Sequence, residues 1–228
     1  LTFLKGKYKK VMADSELKFY AACVGLFTLF IAVVLFFSTQ MDAETAFRTS
    51  LFQVISIQTS TGFITSDYMT WPAVAWGIMP ILMLIGACAG STAGGMKCIR
   101  LVILGKSTKA EFKRLLHPNA VLPVRANNQI IAPTLRFTVM AFTILFIFII
   151  FLSILILLAL GVPFMEAVGV VFSSIGNTGP ALGAYGPDYS WSALPDAAKW
   201  LSSILMLMGR LELFTIILIF TPAFWKKN

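Results

Sequence analysis

Two short segments place hydroxyl and glycine residues between long apolar runs: Gln58-Thr59-Ser60-Thr61-Gly62-Phe63 and Gly176-Asn177-Thr178-Gly179-Pro180. Each follows an amphipathic stretch shorter than the roughly 20 residues a helix needs to cross a bilayer. Non-helical backbone at membrane depth must be buried in protein or line a water-filled cavity. Breaks of this kind therefore point to an ion path in which main-chain carbonyls replace the ion's water shell. The candidate ligands are the carbonyls of Ser60, Thr61, Gly62 and Phe63 and of Asn177, Thr178, Gly179 and Pro180, with Thr61, Gly62, Asn177 and Thr178 as the expected metal-ion contacts. Glycine is needed because it reaches backbone angles that let successive carbonyls point the same way. Thr-Gly and Asn-Thr-Gly are also common turn sequences, so extracellular turns capping helical hairpins are the alternative. Two equivalent breaks, each after a helix too short to span, favour pore loops.

The flanking sequence must aim these breaks. A short helix is expected from about Ala43 to Ile57, with Asp42 as its N-cap and Glu44 in its first turn, both favourable at the positive end of a helix dipole. Pro163 begins its counterpart, with Glu166 in the first turn. Both helices then direct their partly negative C-terminal ends at the breaks, which favours a cation. Each half of the chain repeats the order span, short helix, break, outer loop, span. Sliding the first half by the separation of Gly62 and Gly179 also superposes Ser56 on Ser173, Thr61 on Thr178 and Tyr68 on Tyr185. The matches cluster at the break, where unrelated apolar helices have no reason to agree.

A second interruption falls in the second apolar stretch: Gly86-Ala87-Cys88-Ala89-Gly90-Ser91-Thr92-Ala93-Gly94-Gly95-Met96-Lys97. Such a run can unwind, and below the breaks Gly90, Ser91, Thr92, Ala93, Gly94, Gly95 and Lys97 could form a movable gate. Gly86, Gly90 and Gly94 at four-residue spacing also resemble a small-residue helix-packing face, which is the alternative. A phosphate-binding loop is discarded, because Met96 separates the last glycine from the lysine and no strand precedes it. Arg210 and Glu212 interrupt the last apolar stretch, where an ionisable residue is costly and by default faces a cavity or a partner. Two residues apart means about 200° of rotation, so they do not share one face. Arg210 in a pore beneath the breaks would be an electrostatic barrier; a structural ion pair or a carbonyl contact with a neighbouring span is the other reading.

Composition sets the environment. With 58% hydrophobic residues, 12% charged residues and a mean hydropathy of +0.85, an ordinary soluble domain is excluded and an all-α integral membrane fold is expected. The net charge of +8 does not call for nucleic acid, since the basic residues fall in blocks beside apolar runs, as membrane orientation requires. Four stretches are long enough to span: Leu17 to Phe37, Ala73 to Leu104, Leu135 to Leu160 and Ala198 to Phe224. Lys97-Cys98-Ile99-Arg100, a basic connection with Lys106, Lys109, Lys113, Arg114 and Arg125, the early Lys5, Lys7, Lys9, Lys10 and Lys18, and the late Lys226 and Lys227 share one side. The opposite loops hold Asp42, Glu44, Asp67, Glu166, Asp188 and Asp196, with Arg48 and Lys199 as their basic residues. Both termini are therefore expected in the cytoplasm. Leu1 to Lys18 has no signal-peptide pattern, and a start at Leu1 rather than Met suggests a fragment. Cys23, Cys88 and Cys98 have no metal or disulfide spacing and are expected to be packed thiols. His117, beside Pro118, is expected to be a solvated loop residue. An intramembrane enzyme then lacks a nucleophile and base or a metal cluster. A non-conducting structural or assembly subunit of a membrane complex remains the alternative to a pore.

Thr59-Ser60-Thr61-Gly62-Phe63, Gly90-Ser91-Thr92-Ala93-Gly94-Gly95-Met96-Lys97, Gly176-Asn177-Thr178-Gly179-Pro180 and Gly209-Arg210-Leu211-Glu212 together resemble the potassium-uptake subunits of bacterial Trk systems, within the Trk/Ktr/HKT superfamily. The likeness covers nearly the whole chain. It implies a potassium-channel-like pore of four helix, pore-loop, helix repeats, of which this chain holds the third (1–116) and fourth (117–228). By the same resemblance Gly62 and Gly179 match filter glycines, Gly90 to Gly95 the intramembrane gating loop, and Arg210 the arginine guarding the pore. It further implies K+ as the transported ion, the bacterial inner membrane as the location, and as partners the N-terminal half of the same pore, a second copy in a homodimer, and a cytoplasmic nucleotide-binding regulatory subunit. Two filter strands cannot enclose an ion alone. Pro180, where the first break has Phe63, removes an amide donor, and relaxed discrimination against sodium or rubidium is expected.

Overall fold

A computed structural model describes residues 13–119, 122–127, 129–211, 213–219 and 221–225. Lys5, Lys7, Lys9, Lys10, Glu212, Lys226 and Lys227 lie outside the described residues.

Helix α1 (Ser15–Ser38) starts where the Asp14 carboxylate accepts from the amides of Glu16 at 2.8 Å and Leu17 at 3.4 Å. Its sequence is apolar all round, yet it buries one stripe of Thr28, Ile31, Ala32 and Leu35 at helical spacing and leaves Leu26, Leu29, Val33 and Phe37 exposed. The buried stripe packs on α2 (Ala43–Gln58), whose N-cap is Asp42 as expected. The hydrogen bond from Thr45 holds the Asp42 carboxyl below its ordinary value.

The second expected span is not one helix. It divides into α3 (Ala73–Gly77), α4 (Met79–Leu84), a non-helical stretch from Ile85 to Lys97, and α5 (Cys98–Leu116). Ile85 and Met96 form a parallel bridge, and the Cβ position of Gly86 is filled by the Gly94 carbonyl oxygen. The stretch therefore packs on itself as a loop, and the alternative of a glycine face between regular helices fails there.

The basic connection is also different from expectation. Lys106, Lys109, Lys113 and Arg114 sit on α5 rather than in a loop, and Lys113 and Arg114 occupy its last turn, where the negative end of the helix dipole favours cations. Arg125 belongs to a minimal antiparallel pair, β1 (Arg125–Ala126) with β2 (Gln129–Ile130), so the chain is mostly rather than wholly helical. His117 is exposed just past α5, in accord with a solvated position.

Helix α6 (Pro133–Ala159) opens on proline and buries Val139, Phe142, Thr143, Phe146, Ile150, Ser153 and Leu157 along one face. Among the described helices, α1 and α6 are the two long and apolar enough to cross a membrane. Helix α7 (Phe164–Gly176) follows Pro163, and the fourth expected span is described as α8 (Asp196–Leu211), α9 (Leu213–Ile219) and α10 (Pro222–Trp225). Three-residue 3-10 turns at Tyr68–Thr70 and Gly183–Tyr185 occupy corresponding places after α2 and α7.

Two large cores lie mostly one in each half, and a smaller third, Ile103, Val124, Ile131 and Val139, straddles the boundary. Ile31, Leu35, Val54, Ile57, Met79 and Leu82 lie in one, and Phe146, Leu157, Val170, Ile175 and Leu205 in the other. They interlock, because Leu182 from the second half enters the first core and Met96 from the first half enters the second. A buried hydrogen bond from the Tyr68 hydroxyl to the Ala181 carbonyl, 2.5 Å, adds a polar link. Cys23 and Cys98 are buried free thiols as expected; Cys88, in the loop, is only half-buried.

Candidate functional site

The two short helices end in the same way. At the end of α2 the amide of Ser60 donates to the Ile57 carbonyl (3.0 Å) and that of Thr61 to Ser56 (2.9 Å). At the end of α7, Asn177 donates to Ser174 (3.2 Å) and Thr178 to Ser173 (3.0 Å). These paired bonds close a helix through a left-handed residue, and Ser60 (φ 55°) and Asn177 (φ 53°) are those residues. Two positions on, Gly62 (φ 76°) and Gly179 (φ 105°) are left-handed again. Alternation of left-handed and ordinary residues turns successive carbonyls toward one side of the strand.

The breaks also touch. The Ser60 hydroxyl donates to the Gly176 carbonyl at 2.7 Å, and a Cβ on Gly62 would strike the Thr178 carbonyl oxygen and lie 3.4 Å from Pro180 Cδ. Among the described residues, no hydrogen bond ends on the carbonyl oxygens of Ser60, Thr61, Gly62, Asn177, Thr178, Gly179 or Pro180. Phe63 differs from the other proposed ligands, since its carbonyl accepts from the Ser56 hydroxyl at 2.5 Å. Its side chain, 69% exposed, lines an open apolar groove with Phe52 and Ile55.

The glycine-rich loop lies directly against the second break. The Gly95 amide donates to the Ile175 carbonyl at 3.1 Å, and a Cβ on Gly94 would sit 2.5 Å from the Gly176 carbonyl oxygen and 2.9 Å from the Asn177 side-chain nitrogen. Gly209 on α8 presses on the Ile175 carbonyl from another side, while the Asn177 side chain donates to Met206 on α8 at 3.0 Å. The Gly90 end of the loop faces open space.

Cations hold the loop's carbonyls. Lys97 Nζ donates to Ser91 (2.9 Å) and Ala93 (2.5 Å), and the Arg210 guanidinium donates to Thr92. Arg210 therefore makes the carbonyl contact weighed for it, and it also lines a cavity with Gly95, Lys97, Arg100 and Met208. Arg100 stacks over the Phe142 ring at 4.0 Å. Three positive side chains, Lys97, Arg100 and Arg210, thus line one cavity beside the loop.

Sequence reasoning missed three features. Ser60 carries no conformational signal, whereas Asn177 does, because Asn tolerates left-handed backbone. Arg100, in the same basic run as Lys97, reads in sequence only as an orientation signal, although it lines the cavity with Arg210. Glu16, whose carboxylate reaches the loop, reads in sequence only as a first-turn acid of α1.

A family described as TrkH: Cation transport protein matches residues 19–227. Trk system potassium uptake protein TrkH of Halomonas elongata is 34% identical over 214 residues, covering 94% of this chain and 44% of that protein. The protein of the same name from Salmonella typhimurium is 34% identical over 232 residues, covering 99% of this chain and 47% of its own length. The crystal structure of the potassium transporter TrkH from Vibrio parahaemolyticus superposes with a TM-score of 0.86 at 32% identity, over 93% of this chain and 45% of that one. The chain spans somewhat under half the length of these relatives. Its two Thr-Gly breaks, glycine loop and Arg210 are set within that matched stretch, and the chain belongs to the TrkH family of cation transport proteins.

Proposed function

We propose that this chain forms two quarters of a potassium-uptake pore in the bacterial inner membrane, with both termini in the cytoplasm. K+ shed of water is held by carbonyls of the two breaks, and the glycine loop with Lys97 and Arg210 closes the path beneath them. The observation that carries the reading is the pair of breaks with left-handed residues at Ser60 and Gly62 and at Asn177 and Gly179, lying against each other, with the carbonyls of Ser60, Thr61, Gly62, Asn177, Thr178, Gly179 and Pro180 accepting no hydrogen bond among the described residues. The C-terminal ends of α2 and α7 add partial negative charge at the same place. Relatives named as potassium uptake proteins supply the ion's identity.

The partners follow from the geometry that is incomplete. Two carbonyl strands surround at most half of an ion, and the exposed Phe52, Ile55 and Phe63 beside the first break form an apolar face suited to the N-terminal half of the pore. A second copy in a homodimer and a cytoplasmic nucleotide-binding subunit complete the assembly by family resemblance. The exposed apolar faces of α1 and α6 meet the lipid bilayer.

The test is rubidium or potassium uptake by cells that depend on the complete transporter. Gly62→Val places a branched side chain where the Thr178 carbonyl lies, and uptake is expected to vanish while membrane abundance stays normal. Normal uptake by that variant removes the pore reading and leaves a structural subunit.

A further inference from the structure

We infer that Glu16 is a positioning residue for the glycine loop: its carboxylate ties the loop's entry at Ala89 to the start of α5 and so keeps the loop seated. The inference rests on the reading of that loop as the gate. Glu16 is not the cap of its own helix, since Asp14 fills that place. One oxygen, Oε1, accepts from the Ala89 amide at 2.6 Å and from the Ile99 amide at 3.2 Å. Ile99 lies in the first turn of α5, where amides lack helical partners, and the residue before that helix, Lys97, offers no side-chain cap. An anion there answers both the unpaired amide and the positive end of the dipole.

The loop's anchors then divide by charge. At its entry an acid on α1 holds an amide; further along, Lys97 and Arg210 hold the carbonyls of Ser91, Thr92 and Ala93. Removing Glu16 releases the Ala89 amide, while the bonds of Cys98 to Gly86 and Ala87 and the hold of Lys97 and Arg210 remain. The same end of α1 is joined to the turn between β1 and β2, where Asn127 Oδ1 accepts from the Ser15 amide at 2.7 Å and Asn127 Nδ2 donates to Asp14 at 3.3 Å. Lys106 Nζ on α5 also donates to the Ser15 hydroxyl at 3.3 Å. A shift of the β-turn or of α5 therefore reaches Ala89 through Asp14, Ser15 and Glu16, without passing through the breaks.

Cys88, half-buried beside Ala89, reports on the loop, and buried Cys23 on α1 reports on the surrounding fold. The experiment measures maleimide labelling of each by peptide mass spectrometry, and rubidium flux in proteoliposomes, for the complete transporter carrying Glu16→Ala or Glu16→Gln. Glu16→Ala is expected to speed Cys88 labelling about tenfold, the scale of one lost hydrogen bond to a charged group, and to raise resting flux in step. Glu16→Gln, which keeps an acceptor oxygen without the charge, falls between it and the parent, and Cys23 labelling is unchanged in both. Unchanged Cys88 labelling overturns the inference, as does an equal rise at Cys23, which would make Glu16 a support of the whole fold. Faster Cys88 labelling with unaltered flux upholds Glu16 as the loop's anchor and overturns the reading of the loop as a gate.

Discussion

Gly62 and Gly179 occupy matching places in their breaks, but substitution meets different obstacles at each. At Gly62 an added Cβ is both strained by φ of 76° and in collision with the Thr178 carbonyl oxygen, a backbone atom that cannot turn away. At Gly179 nothing lies within 4 Å, so the cost is the φ of 105° alone. Strain of that kind is worth about 1 to 3 kcal/mol, enough for roughly a tenfold fall but not for destruction of the site. Gly62→Ala is therefore expected to abolish rubidium uptake and Gly179→Ala to reduce it about tenfold, both at parental abundance by immunoblot of membranes. Equal losses would mean that the contact between the breaks is irrelevant. Asn177→Gly separates the residue's two roles, for it keeps the left-handed backbone and gives up the side-chain bond to Met206. A neutral hydrogen bond contributes about 1 kcal/mol, so uptake should fall only several-fold, whereas Asn177→Val, with the backbone conformation also opposed, should fall further.

Among the elements, the glycine loop makes the sharpest internal contrast. Gly94 has the Gly176 carbonyl and the Asn177 amide where a Cβ would go, while Gly90 has open space. Gly94→Ala should push the loop off the end of α7 and raise resting rubidium flux, and Gly90→Ala should leave it unchanged; the pair is read in proteoliposomes against the parent. Arg210→Gln should raise flux as well, since it removes a cation from the cavity and the donor to Thr92. If flux instead stays low in a protein delivered normally to the membrane, the Thr92 bond is structural only. Much of this was legible in sequence where the signal is local. Asp42 and Pro163 announced the starts of α2 and α7, and small residues announced the break after Leu84. Where the signal is nonlocal, sequence gave too little. The bonds of Glu16 to Ala89 and Ile99 join residues far apart in the chain, and nothing in an acid near a helix start says which amides it will meet. The extension of α5 past Leu104 is hard to read for another reason: its lysines act as orientation signals and mask the Val102, Ile103 and Ser107 face that buries it.

At the scale of the whole molecule, the two halves are not independent bodies. Leu182 and Met96 each sit in the other half's core, Tyr68 bonds Ala181, and Ser60 bonds Gly176, so the two breaks are fixed to one another by packing and by hydrogen bonds. On the proposed reading, that fixed pair supplies two of the filter's carbonyl strands. A dehydrated potassium ion against two strands would keep water or bare space on its remaining faces, and the loss of its hydration would go uncompensated. The 228-residue chain expressed alone is therefore expected to insert in the membrane yet to support no rubidium uptake above background. Co-expression of an N-terminal half from a TrkH relative should restore uptake, because its strands would close the ring and its helices would cover the apolar groove at Phe52, Ile55 and Phe63. Restored uptake should again be lost with Gly62→Ala in the shorter chain, which ties the current to this pair of breaks rather than to the added half. Uptake by the short chain by itself, insensitive to Gly62→Ala, would place the ion path elsewhere in the molecule.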